Sequence, residues 1–220
     1  MGQMLFSHDT ELTLRAACVL VNSDLVDGER LGDQAALDRY LADYGTTGRR
    51  DRDAGELAAV HRLRRRLGGI WAVADDEERT VEQVNALLAD THAAPWLTRH
   101  PEMPEWHLHL ASADEPLAQR MGAEMAMALA DLIRAGELRR LKTCAAGDCD
   151  AVLVDLSRNR SRMFCDTGNC GNRQHVAAYR ERRTRPASDG PVDSGPVETG
   201  PVGTGPVGTG PVDNGGATAR

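Results

Sequence analysis

Four of the five cysteines in this 220-residue chain fall in one short stretch, as Cys144-x4-Cys149-x15-Cys165-x4-Cys170. Two equally spaced pairs, 15 residues apart, let two small loops each present two sulfurs to one ion. Zinc takes four tetrahedral ligands, and thiolates are its natural soft partners. Ordinary buried or free cysteines have no reason to pair in this way, and four-cysteine iron–sulfur centres usually have other spacings. Four thiolates also close the shell, whereas a catalytic zinc keeps a water position. The pattern points to one structural Zn2+ held by Cys144, Cys149, Cys165 and Cys170.

The surrounding residues suggest how the loops are joined. Ala151 to Leu156 and Ser161 to Phe164 are apolar-rich and flank the polar turn Ser157-Arg158-Asn159-Arg160, which reads as a β-hairpin. Beyond Cys170, Gly171 to Arg183 reads as a helix, with Val176, Ala177 and Tyr179 among its apolar positions. Knuckle, hairpin and a helix starting at the second pair give a treble-clef-like layout.

Cys170-Gly171-Asn172-Arg173 follows Cys144-x4-Cys149, Asp155-x-Ser157-Arg158-Asn159 and Arg162-x-x-Cys165. This set resembles the CGNR zinc-finger family over roughly residues 137–183. Where the usual pattern has an aromatic pair after the second cysteine and a Trp before the third, this chain has Val152, Leu153 and Phe164. The apolar character is kept. The preceding region is similar to the ABATE domain, through Glu11-Leu12 leading to Val21-Asn22, Val84-Asn85 and the long helix feeding the finger. The resemblance implies a stress-induced transcription regulator, a description that rests largely on the finger.

Charge divides the chain in the same places. Residues 1–136 carry 14 basic and 23 acidic side chains, residues 137–185 carry 11 and 6, and residues 186–220 carry one and four. An anionic partner is therefore expected at the finger. Arg158, Arg160 and Arg162 alternate through the expected hairpin tip, and Arg180 and Arg182 lie on the helix. These five are the candidate nucleic-acid contacts, because arginine binds phosphate bidentately. A solvated basic face or a protein-docking surface are the alternatives. Arg173 adjoins the anionic cluster, where it can serve as a partner of the thiolates.

Residues 1–136 read as a mainly helical domain with little strand. Helices are expected over about Leu12–Asn22 (capped by Asp9 or Thr10), from Asp33 through Leu41, over Ala54–Ala74, over Val81–Ala89 capped by Thr80, and over Glu115–Gly136. Pro95, Pro101 and Pro104 break the chain, and Trp106 to Leu110 alternates like a half-buried strand. Its His107 and His109 read as solvent-facing, and the His61–Arg66 stripe as a solvated helix face. Cys18 reads as a small core residue. After residue 185, Gly-Pro-Val recurs every five residues from position 190. Collagen needs glycine at every third position, so this tail, residues 186–220, is expected to be a disordered extension.

No apolar run approaches the ~18 residues of a membrane helix, and the start lacks a secretory pattern. A cytoplasmic protein is expected. No phosphate-binding loop, nucleophile elbow or paired-carboxylate signature argues for an enzyme. The expected partner is DNA, with the helical domain as sensor or association module for a protein or small-molecule effector; the alternatives are a finger that docks on a protein without binding DNA, and a helical domain that is itself an enzyme or small-molecule binder with the finger as an appendage.

Overall fold

A computed structural model of the chain describes residues 6–25, 28–100 and 103–184. The expected disordered tail, residues 186–220, lies outside the described residues.

Six helices and two small antiparallel sheets make up the described chain: α1 (His8–Asn22), α2 (Gln34–Asp43), α3 (Ala54–Ala72), α4 (Glu77–Asp90), β1 (Trp96–His100), β2 (Met103–His109), α5 (Leu117–Arg134), β3 (Leu141–Thr143), β4 (Val152–Val154) and α6 (Cys170–Thr184). A single 3-10 turn, Leu138–Arg140, links α5 to β3. Among the described residues, no helix is long and apolar enough to cross a membrane.

Capping aspartates set three of the helix starts. Asp33 accepts from the Ala36 amide at 2.7 Å, Asp53 from Glu56 at 2.8 Å and Asp76 from Arg79 at 3.1 Å. Each satisfies one of the amides a helix N-terminus leaves without an intrahelical partner. The fourth helix thus begins at Glu77 rather than after Thr80. Thr80 turns its hydroxyl to the carbonyls of Val73 and Asp76. The first helix likewise starts earlier than expected, at His8, and buries Thr10 in its first turn.

The core is built on α5, whose Leu117, Met121, Ala126, Leu129 and Leu132 are all buried. Leu14 and Leu20 of α1, Val60, Leu67 and Ile70 of α3, and Val84 and Leu87 of α4 join the same cluster. A side chain at Gly122 would meet the Thr91 methyl at 2.9 Å and Leu63 at 3.3 Å, so glycine permits the close approach of α5 to its neighbours.

The proline-rich stretch forms a strand that the sequence reading missed. Trp96 pairs with His109, Leu97 with Leu108 and Thr98 with His107. In a two-stranded sheet both members are edges, so Pro104 removes no ladder bond to a further neighbour.

The basic stripe on α3 divides. Arg62, Arg65 and Arg66 are exposed, but Arg64 is buried and grips Glu29 through two bonds of 2.7 and 2.8 Å. His61 lies against the Leu31 carbonyl at 2.9 Å.

Strands β3 and β4 pair as Leu141 with Val154, Lys142 with Leu153 and Thr143 with Val152. This hairpin encloses the first cysteine pair, whereas the sequence placed one after it, over residues 151–156 and 161–164. The reason is packing. Leu141, Val152 and Val154 belong to the main core cluster, so β4 is fixed against the helices. Residues up to Arg182 accordingly form one compact unit.

Candidate metal centre

Cys144 directly follows β3, and its amide donates to the Ala151 carbonyl at 2.8 Å, closing the hairpin around the first knuckle. Within the turn, the Cys149 amide donates to Ala146 at 3.1 Å. The second pair is drawn in by the bond from the Ala145 amide to the Met163 carbonyl, 2.8 Å long. Cys170 opens α6, where the dipole at a helix N-terminus favours a thiolate.

The four Sγ atoms lie within 4.8 Å of one another. The Cys149–Cys165 and Cys165–Cys170 separations are 3.8 and 3.7 Å. A tetrahedron with Zn–S bonds of ~2.3 Å has edges of about 3.8 Å, so the sulfurs already match a zinc shell. Cys144, Cys165 and Cys170 are buried. The donor set fits one structural zinc held by Cys144, Cys149, Cys165 and Cys170.

The electrostatics also call for a cation. Burial pushes the Cys149 thiol up to about 12 and raises Cys165 as well. Cys170 moves the other way, lowered chiefly by Arg173. Arg173 donates from Nη2 to Cys170 Sγ at 3.2 Å and from Nη1 to Asp148 Oδ2 at 2.9 Å. It therefore joins the helix that carries the fourth ligand to the turn between the first two. Aspartate 148 was not foreseen, because only the fold brings it opposite Arg173. An amide donor, Cys165 N, also points at Cys144 Sγ, 3.5 Å away.

Beside the sulfurs sits a second organising group. The Asp155 side chain is 0% exposed. Its Oδ2 accepts from Lys142 Nζ at 2.6 Å and the Arg162 amide at 2.9 Å, and its Oδ1 accepts from the Ser157 amide at 3.0 Å. Burial alone would raise this carboxyl, but Lys142, Ser157 and the Ser157 and Arg162 amides outweigh it and hold it at about 2. One carboxylate thus folds residues 155–162 into a loop and leaves no room for the expected hairpin. Arg140, 1% exposed, braces the same loop by donating to the carbonyls of Asp155 at 2.7 Å and Ser157 at 2.8 Å.

The candidate nucleic-acid arginines are dispersed by this loop. Arg158 is exposed and makes no ion pair with a described residue. Arg160, at a positive φ of 52°, pairs with Glu137 at 3.2 Å. Arg162 pairs with Asp166, which is 85% exposed, and donates to the Phe164 carbonyl at 3.2 Å. Arg180 is exposed on α6. Arg182 falls on the same helix, with its side chain outside the described residues.

Two of the weaker expectations change. His107 is 8% exposed rather than solvent-facing, and its Nε2 lies 3.2 Å from His109 Nε2. Cys18 is half-buried, and its Sγ lies 3.2 Å from the Val152 carbonyl, where helix and finger meet. That contact is long-range and leaves no signature in the sequence.

Two family models match the chain in succession. The ABATE model, described as "Putative stress-induced transcription regulator", covers residues 14–136. The CGNR zinc finger model covers residues 140–183. No curated protein matches the chain.

Proposed function

The chain belongs to the ABATE family and carries a CGNR zinc finger, and from that premise we propose that it is a cytoplasmic, non-enzymatic transcription regulator that binds DNA through the finger. The helical region then acts as its sensor or association module. The observation that carries the reading is the charge of the finger. Residues 137–185 have 11 basic and 6 acidic side chains, and the acids are largely spent on internal pairs with Lys142, Arg160, Arg162 and Arg173. With four thiolates on Zn2+, the module keeps an excess of positive charge for a phosphate backbone.

Arg158 and Arg180, both exposed, are the direct contacts in this reading, together with Arg182, which follows Arg180 in the α6 sequence. Arg160 and Arg162 reach phosphate only by exchanging Glu137 and Asp166 for it. The exposed Asp166 makes that exchange easier for Arg162.

A second reading has its own observation. Met163, Val176 and Tyr179 are 58%, 40% and 55% exposed on the finger, which favours docking on a protein. Salt separates the two. Affinity of the full zinc-loaded chain for duplex DNA is measured against ionic strength. Phosphate contacts give a log–log slope of about −0.9 per contact. An absence of DNA binding at physiological salt removes the proposal and leaves the protein-docking reading.

A further inference from the structure

The helical region encloses a cavity that the zinc centre does not use. It has a volume of about 150 Å3 and lies among the first turns of α1, the segment after α2, strand β2 and α5. Asp9, His107, His109, Arg120, Glu124 and Asp131 are its titratable and charged wall. An engineered apolar cavity of ~150 Å3 holds benzene, so this space suits a ligand of about six non-hydrogen atoms.

Arg120 supplies charge, and three of its five N–H donors are committed to backbone carbonyls. Its Nε donates to the Glu115 carbonyl at 3.0 Å, its Nη2 to Arg49 at 2.7 Å, and its Nη1 to the Thr47 carbonyl. Through these bonds it pins the segment after α2.

The histidines are held by local bonds. His107 Nδ1 lies 2.9 Å from the Glu105 carbonyl, which can only accept, so Nδ1 carries the proton. His107 Nε2 lies 3.2 Å from His109 Nε2.

The carboxylates are left over. Glu124 and Asp9 make no hydrogen bond or ion pair with a described residue, although both line the cavity. Burial pushes the Glu124 carboxyl up; Arg120 and His107 oppose this, and the Asp9 charge adds to it. Asp131 accepts from Thr10 at 3.4 Å and pairs with Arg134 at 3.3 Å. It sits two helical turns along α5 from Glu124, about 10.5 Å of rise. Asp131 is offset by Arg134, so Glu124 and Asp9 face Arg120, which is already bonded to three carbonyls, and the wall keeps an excess of carboxylate.

We propose that this cavity is a binding site for a small aliphatic amine, with its ammonium group held by Glu124 and Asp9. An ammonium brings donors to carboxylates that have none, and a second one reaches toward Asp131. The proposal rests on reading the helical region as a sensor, and it does not depend on DNA binding.

The test uses the full zinc-loaded chain at neutral pH, with thermal unfolding and calorimetry. The probes are 1,4-diaminobutane, the neutral butane-1,4-diol and the dianion succinate. The diamine is expected to raise the melting temperature and the other two to leave it unchanged. Glu124→Gln keeps shape and removes charge, and is expected to weaken the diamine about tenfold or more. Asp9→Asn is expected to weaken it by less, and Asp90→Asn, outside the cavity, not at all. No response to the diamine at millimolar concentration overturns the proposal, as does an undiminished response in Glu124→Gln. A response to succinate alone also overturns it, but leaves the sensor reading standing with an anionic effector.

Discussion

Asn22, the last residue of α1, makes both of its amide bonds to Val152 in β4. The Val152 amide donates to Asn22 Oδ1, and Asn22 Nδ2 donates to the Val152 carbonyl, each at 2.8 Å. The side chain thus does for β4 what a neighbouring strand does in a sheet. Trp71 of α3 adds a third tie, from Nε1 to the Leu153 carbonyl at 3.2 Å. Strand β4 leads away from the first cysteine pair, so the helical core holds one side of the metal centre directly.

Replacing Asn22 by alanine strands the buried Val152 amide and leaves its carbonyl only the weak Cys18 thiol donor. An unsatisfied buried group costs roughly 1–3 kcal/mol, so a loss of about 2–4 kcal/mol is expected. Urea unfolding of the zinc-loaded variant measures it. Zinc content is expected to stay at one per chain, because no sulfur moves off its own loop. A loss of zinc with unchanged stability contradicts this division of labour.

Loss of zinc is expected to loosen only part of the finger. The second pair and α6 depend on the metal, whereas β3 and β4 are held by Asn22, Trp71 and the core. Cys165→Ser or Cys170→Ser should abolish protection of amides over 162–184 in hydrogen exchange and leave those of β4 slow. Elemental analysis should give one zinc per chain in the parent. Iron, or no metal, refutes the assignment.

Arg173→Ala removes the link between Cys170 and Asp148. Substituting groups that hydrogen-bond metal ligands typically costs 10–100-fold in metal affinity, and about that loss is expected. The Cys170 thiol is no longer held low, so it protonates at higher pH, and zinc release on acidification should begin at higher pH. Arg173→Lys keeps the charge but not the fork, and should recover only part of the affinity. Competition with a chromogenic chelator across pH reads both.

Asp155→Asn leaves Lys142 without its carboxylate. Removing one partner of a buried pair typically costs 3–5 kcal/mol; Lys142 keeps partial exposure, so about 2–4 kcal/mol is expected. The pH dependence follows from a depressed carboxyl. Its stabilisation is complete above the unfolded value of ~3.9 and is lost as pH falls through about 2. Acid titration of the zinc-free chain isolates this effect, because thiolate protonation removes the metal first. In Asp155→Asn that acid-dependent fraction should vanish.

The arginines should separate by their present partners. Arg158→Ala is expected to lower the magnitude of the salt slope by about 0.9, and Arg160→Ala by less, because Glu137 already engages that side chain. Equal losses for all of them indicate a diffuse electrostatic surface.

The metal centre was legible in the sequence because it is made of local chemistry. Cysteine has one soft ligand atom, four bases close a zinc shell, and short x4 turns bring each pair together whatever surrounds them. The cap at Asp33 was legible for the same reason, since a side chain three residues from an amide needs no distant partner. The mainly helical character of the first 136 residues followed from apolar periodicity. What only the tertiary structure decided is pairing at long range. Val152 sits where Asn22 and Trp71 can reach it, so the hairpin forms around the first cysteines and not after them. Asp155 collects the amides of Ser157 and Arg162, and the arginines beside it take up Glu137 and Asp166 instead of lining one face. His107 is buried because β1 forms beside it and α5 lies behind the cavity. Spacing along a chain fixes which groups share a turn, whereas the partner of a buried charge or strand is set by the packing of the whole core.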